Sequence, residues 1–191
     1  MTSSPDAQLN VALSAVPRHR AFIGMGGNLG DVAARLREAV RGLAALPGTQ
    51  VEAVSSLYCT KPVESSGPDY LNAVAVLQSA LGPHELLRAL LALELTHDRE
   101  RPYQNAPRTL DLDLLWYGGY ACCTPALSLP HPRMMQRAFV LVPLAEALGE
   151  LHSGVAGGVA GGESPVLPDP VAVVALAQEQ GIAAAGAFDL S

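Results

Sequence analysis

A chain of 191 residues, 49% of them hydrophobic and 16% charged, is long enough to bury a single core and has the composition of a soluble globular protein. Its net charge of −6 is unevenly placed: all 12 basic residues fall at or before Arg137 among 12 acids, and six further acids follow. The formally neutral body excludes the broad basic face of a nucleic-acid binder and suits a small anionic ligand, and no stretch is long and apolar enough to span a bilayer.

Three cysteines, Cys59, Cys122 and Cys123, form no C-x-x-C and leave an odd thiol, so neither a disulfide scaffold nor a zinc site is suggested. The first 17 residues lack the basic start and apolar run of a secretory leader. A reducing cytoplasm is the simplest setting. Residues 1–17 read as a tail and 18–151 as one catalytic domain. Residues 152–191 read as a Gly/Ala-rich connector with a short helix on or loosely attached to that domain, ending in a loose Ala-rich stretch.

Ala21 to Met25 is a short apolar strand that runs into the glycine-rich turn Gly24-Met25-Gly26-Gly27-Asn28-Leu29-Gly30-Asp31. The spacing is neither a dinucleotide-binding G-x-G-x-x-G nor a Walker motif, so the turn reads as a tight connection with Asp31 capping the next helix. Val32, Leu36, Ala39, Val40 and Leu43 follow helical spacing, and Pro47-Gly48 stops the pattern. Val51 to Tyr58 alternates as a second strand, a loop spans Glu64 to Asp69, and Tyr70 to Leu77 forms a third strand. Asn72, facing with Tyr70, is either a satisfied core amide or a group that reads a ligand.

Pro83 opens a helix whose Leu86, Leu87, Leu90, Leu91, Leu93 and Leu95 predict a broad buried stripe. Glu94 falls on that stripe near the helix C-terminus, where the macrodipole disfavours an acid, so a polar ligand or an arginine contact is expected. Asp98 to Pro107 is polar and reads as a loop that closes over a site. Next comes Pro107-Arg108-Thr109-Leu110-Asp111-Leu112-Asp113-Leu114-Leu115-Trp116, a strand with Leu110, Leu112 and Leu114 on one face and Asp111 and Asp113 on the other. Tyr117 to Tyr120 turns the chain into a small hairpin. Pro130-His131-Pro132 follows, and Met134 to Leu148 is helical with a bend or restart at Pro143. Val171 to Gln180 is a short helix.

Asp111 and Asp113 are the chemically informative pair. Carboxylates two residues apart on a strand lie roughly 6.5–7 Å apart along the chain, a repulsion of about 2 kcal/mol at an effective dielectric of about 20. A cation between them removes that penalty, and oxygen ligands suit Mg²⁺ held jointly with phosphates. An Asp-x-Asp is also commonly the solvated face of an edge strand. Arg99, Arg101 and Arg108 upstream, with His131, Arg133 and Arg137 downstream, strengthen the anion-and-metal reading.

Taken together, Phe22 to Asp31, Ser55-Ser56-Leu57-Tyr58, Pro68 to Ala73, Ala106 to Leu115, and Leu129-Pro130-His131-Pro132 with Arg137-Ala138-Phe139 resemble the 6-hydroxymethyl-7,8-dihydropterin pyrophosphokinase family of folate biosynthesis. The resemblance implies an α+β, ferredoxin-like βαββαβ sandwich with an antiparallel sheet and appended C-terminal helices. It implies transfer of pyrophosphate from ATP to the pterin, with two Mg²⁺ ions on Asp111 and Asp113 and with Arg99 and Arg108 also catalytic. It places Thr60, Val63, Tyr70, Asn72 and Phe139 around the pterin, and Glu94, Arg101, His131 and Arg137 on the ATP side. A monomer acting on small molecules, without nucleic-acid or membrane partners, is the expectation. The chain departs from the family pattern at Gln104-Asn105, where many members carry Arg-Trp, and at Gly27, Lys61 and Leu91. Two other classes remain in view: an RNA-recognition module, whose strand aromatics are absent here, and a metal-dependent phosphohydrolase using the same Asp pair.

Overall fold

The computed structural model describes residues 17–62, 67–96, 108–153 and 164–188, with residues 150–153 described by backbone alone. The expectations for residues 1–16, Val63, Arg99, Arg101, Gln104 and Asn105, and for the connector at 154–163, fall outside the described residues. In chain order the core elements are β1 (His19–Gly27), α1 (Val32–Ala44), β2 (Thr49–Val54), β3 (Leu57–Thr60), β4 (Tyr70–Ser79), α2 (Pro83–Leu95) and β5 (Asp111–Tyr117). Asp31 caps α1 by accepting the Ala34 N–H at 3.0 Å, and the residues spaced for a helix face are those buried.

These strands pair antiparallel in the order β5-β1-β4-β3, with β2 also on β4. This is the ferredoxin-like arrangement, with β2 and β3 acting as two halves of its second strand. α1 and α2 cover one face, where Ile23, Met25, Leu36, Leu90, Leu112 and Leu114 meet. The other face carries Phe22, Val74, Val76 and Trp116 under α3 (Ala138–Ser153), with Phe22 and Trp116 edge to face at 5.5 Å.

Several expected elements differ in instructive ways. The single strand over Val51 to Tyr58 is broken at Ser55. There the backbone N–H donates to Val74 O at 2.9 Å, while Oγ accepts the Val74 N–H at 2.9 Å. A side chain thus supplies one rung of the ladder, and the backbone is free to shift register. Glu146 of α3 secures the junction by accepting from Ser56 N–H (3.0 Å), Ser56 Oγ (2.7 Å) and Tyr58 O–H (2.8 Å). In α2 only Leu86, Leu90 and Glu94 are fully enclosed, a narrow stripe of spacing four. Leu91 and Leu95 are 42% and 70% exposed.

β5 is an edge strand, and a bulge opposite Phe22 and Ile23 breaks its alternation. Leu114 and Tyr117 therefore face α1 and α2, while Leu115 and Trp116 both face α3. Gly118 and Gly119, at φ 47° and 69°, turn the chain towards β6 (Cys122–Cys123) and β7 (Ser128–Leu129), the expected small hairpin. The later helical segment breaks at Arg137, between a 3₁₀ turn (Met134–Gln136) and α3, whereas Pro143 is accommodated within α3. After α4 (Pro170–Gln180), the Ala-rich stretch expected to be loose forms β8 (Ala183–Gly186), which pairs antiparallel with β3.

Tyr117 gives a pH test of this packing. Its O–H donates to Leu81 O at 2.7 Å, and burial, aided by the Glu85 charge, raises the phenol above its ordinary value of 10. The folded state favours the neutral phenol, so its contribution is intact below the ordinary tyrosine pKa and is lost as pH rises through the raised value. Urea midpoints measured between about pH 9 and about pH 11 are expected to fall for the wild type, and to fall less for Tyr117→Phe.

Candidate active site

β1 and β5 present a bare patch of sheet between two carboxylates and the start of α3. Gly24 pairs with Asp113 and Gly26 with Asp111, and all four residues line a cavity of about 460 Å³. A Cβ at Gly24 would lie 3.3 Å from the Leu115 side chain, and one at Gly26 would lie 3.0 Å from Asn72 Oδ1. Glycine at alternate positions of β1 leaves the floor of the cavity open.

The rest of the glycine-rich turn binds protein. A Cβ at Gly27 would fall 2.6 Å from the carbonyl oxygen of Thr109, so glycine there lets the two segments come together. Asn28 is 3% exposed and brackets the segment before β5. Its backbone N–H donates to Arg108 O at 2.9 Å, its Oδ1 accepts the Arg108 N–H at 2.9 Å, and its Nδ2 donates to Pro68 O at 3.2 Å. The turn thus holds the base of the Asp111–Asp113 strand in place.

Arg108 reaches over that strand, and its Nη1 lies 2.7 Å from Asp111 Oδ2. Burial works to lower its pKa, but Asp111 and a hydrogen bond with Tyr70 outweigh burial and hold it above the ordinary arginine value. Its buried Nε has no acceptor among the described residues. Burial, reinforced by Asp111, raises the Asp113 pKa against the opposing pull of His131, Arg137 and Arg108. Arg137 lies over the Phe139 ring, 5.2 Å from its centroid, and is lowered by burial and by its neighbour Arg133. With Lys61 and Arg133 also on the wall, four cationic side chains face two carboxylates in one cavity.

The same cavity is lined by Thr60, Tyr70, Asn72 and Phe139. Asn72 and Thr60 are each 6% exposed, and Asn72 Nδ2 donates to Thr60 Oγ1 at 3.0 Å. The amide is therefore both satisfied and at the cavity wall. An aromatic ring beside a fixed amide suits a flat heterocycle with polar edges.

Two of the sequence-predicted residues take other places. Glu94 is 0% exposed, and its Oε1 accepts the Leu112 N–H at 2.7 Å on the edge of β5 turned away from β1. Its contact here is with the backbone between the two aspartates, and it is not among the residues lining the cavity. His131 is not among the lining residues, and its Nδ1 accepts the Arg133 N–H at 3.2 Å. Burial lowers its pKa more than nearby Asp113 raises it. Sequence reasoning did not assign Lys61, Arg133, Gln136 or Gln180 to the site, yet all four line the cavity. Arg133 had a visible signal in its spacing from His131 and Arg137. Gln180 had none, since it lies 43 positions after Arg137 at the end of a separate helix.

The donor set fits a divalent cation shared with a ligand. Among the described residues no group of three or more His, Cys, Asp or Glu converges. Asp111 and Asp113 alone offer a partial oxygen shell, as suits Mg²⁺ that is completed by phosphate and water. Because Asn28 carries the base of this shell, Asn28→Ala removes one acceptor and one donor and should destabilise the fold by about 1–3 kcal/mol, read from urea unfolding. Asn28→Asp keeps the acceptor for Arg108 and should lose less.

The family model for 7,8-dihydro-6-hydroxymethylpterin-pyrophosphokinase (HPPK) matches residues 22–149. The chain is similar to a 2-amino-4-hydroxy-6-hydroxymethyldihydropteridine pyrophosphokinase of Synechocystis sp., 45% identical over 67% of this chain and 66% of that one. Proteins of the same description are 43% identical in Methylorubrum extorquens, over 71% of this chain and 86% of the relative, and 40% identical in Pseudomonas aeruginosa, over 70% and 83%. A crystal structure of Plasmodium falciparum HPPK-DHPS shares the fold, with a TM-score of 0.53 at 13% identity over 72% of this chain and 39% of that one. The open sheet floor, its carboxylate pair and its aromatic wall all lie within the matched segment or line the same cavity, and the chain belongs to the 7,8-dihydro-6-hydroxymethylpterin-pyrophosphokinase family.

Proposed function

We propose that this chain transfers the β,γ-pyrophosphoryl group of ATP to the hydroxymethyl oxygen of 6-hydroxymethyl-7,8-dihydropterin, giving AMP and the pterin diphosphate for folate biosynthesis. The supporting observation is that one cavity holds Asp111 and Asp113, four cationic side chains, and the Asn72–Phe139 wall. In this reaction the hydroxymethyl oxygen bonds to the β-phosphorus, the bond from that phosphorus to the α,β-bridging oxygen breaks, and the hydroxyl proton is lost. Such transfers demand positioning and charge stabilisation more than covalent chemistry from the protein.

Asp111 and Asp113 would hold Mg²⁺, two ions on the family's pattern, which when bound neutralise phosphate charge and polarise the phosphoryl oxygens. Arg108 lines the cavity and offers its guanidinium to phosphate oxygens, with Asp111 fixing its direction. Arg137, braced on Phe139, offers a second fork. Thr60, Tyr70, Asn72 and Phe139 would receive the pterin, the ring stacking on Phe139 while the polar groups meet its edge. Glu94 supports the strand between the aspartates and His131 stands near Asp113, and their place on the ATP side comes from family resemblance. Arg99, Arg101 and Val63 enter through family resemblance alone. Among the described residues no helix is long and apolar enough to cross a membrane. A monomer is taken from the family resemblance, and a reducing cytoplasm from the three unpatterned cysteines of the sequence.

Incubation of the purified chain with ATP, Mg²⁺ and hydroxymethyl-dihydropterin should yield AMP in step with pterin diphosphate. Asp111→Ala and Asp113→Ala should each remove AMP formation by a factor of about 10³ or more while far-UV dichroism is unchanged. ADP or orthophosphate in place of AMP would reject the pyrophosphokinase reading and favour a phosphohydrolase.

A further inference from the structure

The last helix and strand of the chain lie beyond the segment matched by the family model, yet they deliver a side chain to the cavity. Gln180 is the final residue of α4, and Gly181, at φ 64°, ends that helix in the left-handed conformation. The chain then returns along β3, pairing Ala183 with Cys59 and Ala184 with Tyr58, and Phe188 packs against the core. At the other end of α4, Val173 is 8% exposed. The position of Gln180 is therefore fixed by packing before it and by strand pairing after it.

Its amide makes two hydrogen bonds, one on each side of Arg137. Oε1 accepts the Ala138 N–H at 2.8 Å, and Nε2 donates to Gln136 O at 2.9 Å. Arg137 is the extended residue between the 3₁₀ turn and α3, with φ −117° and ψ 112°. Its own carbonyl accepts the Val140 and Leu141 N–H groups, so it opens α3. The first amides of a helix have no partner within it, and Gln180 supplies one for Ala138. An arginine side chain has many rotamers, and where its guanidinium can reach is set first by its backbone.

We propose that Gln180 is a positioning residue that clamps the Arg137 backbone, aiming its guanidinium across Phe139 into the cavity. This rests on the reaction proposed above for its kinetic arm only. Only an amide can make both bonds, since glutamate could accept from Ala138 but not donate to Gln136, and alanine could do neither.

The test is a double-mutant cycle in the full chain, with Gln180→Ala, Arg137→Ala and the pair, together with amide hydrogen exchange. Gln180→Ala should lower kcat/KM for ATP in AMP formation by about tenfold, and by less than about twofold when Arg137 is already alanine. Exchange at the Ala138 amide should accelerate by about tenfold or more, and Gln180→Glu should fall between wild type and alanine. Equal losses in both backgrounds would show that Gln180 acts on substrate or fold without Arg137 and would overturn the proposal, as would unchanged Ala138 exchange. Should Gln180→Ala fail to fold, Gln180→Glu carries the same cycle. Absence of AMP from the wild type would reject the proposed reaction instead, and the Ala138 exchange comparison would then decide whether the clamp exists.

Discussion

Asp111 and Asp113 stand on a strand that, among the described residues, has a neighbour on one side only, and the placing of that strand is the constraint on which the cavity depends. An edge strand ordinarily drifts or recruits another strand. Here its base is tied by Asn28 through the backbone of Arg108, and the N–H between the two aspartates is taken by buried Glu94. Arg108, fixed by the same bracket, turns back to Asp111 at 2.7 Å. Three separate elements thus meet at one short stretch: the turn after β1, the end of α2 and β5 itself. Their agreement converts two acids on an edge into a defined pair of oxygen ligands.

Charge explains why such support is required. Burial and mutual repulsion both oppose ionisation of Asp113, and the surrounding guanidinium groups oppose one another as well, with Arg133 working against Arg137. A cavity that crowds two carboxylates and several guanidinium groups is costly when empty of counter-charge and favourable once phosphate and a divalent cation enter together. The protein meets the standing cost with fixed geometry. Arg108 is locked by Asp111, Arg137 lies over Phe139, and Asn72 is bonded to Thr60. Preorganised dipoles and charges of this kind need little rearrangement when the reaction proceeds.

Much of this was legible in the sequence because strong periodicity and burial coincide. The faces of α1 and β4, the Asp31 cap, and the acidic and apolar faces of β5 all follow from spacing. What the sequence concealed were events that break a period. Ser55 replaces a backbone rung with a side-chain oxygen, which no hydropathy pattern records. The β5 bulge moves Trp116 to the face opposite Leu114. Alanine carries little strand preference, so β8 is specified by its partner β3 rather than by its own residues. At the site, the alternation of Asp111 and Asp113 with leucines marked the acidic pair, while the stretch around Asn72 left it between core amide and ligand contact. Lys61 and Gln180 enter the cavity only because the tertiary fold brings distant segments together.

Whether the Asp111–Asp113 pair acts through a divalent cation shared with nucleotide phosphates is open to direct measurement. Calorimetric titration of a non-hydrolysable ATP analogue, with and without Mg²⁺, into wild type and the Asp111→Asn/Asp113→Asn variant reads it without turnover. Mg²⁺ is predicted to tighten binding to the wild type by about tenfold or more, about 1.4 kcal/mol, and the gain is predicted to disappear in the variant. An equal Mg²⁺ gain in both proteins would contradict a metal-holding role for the pair.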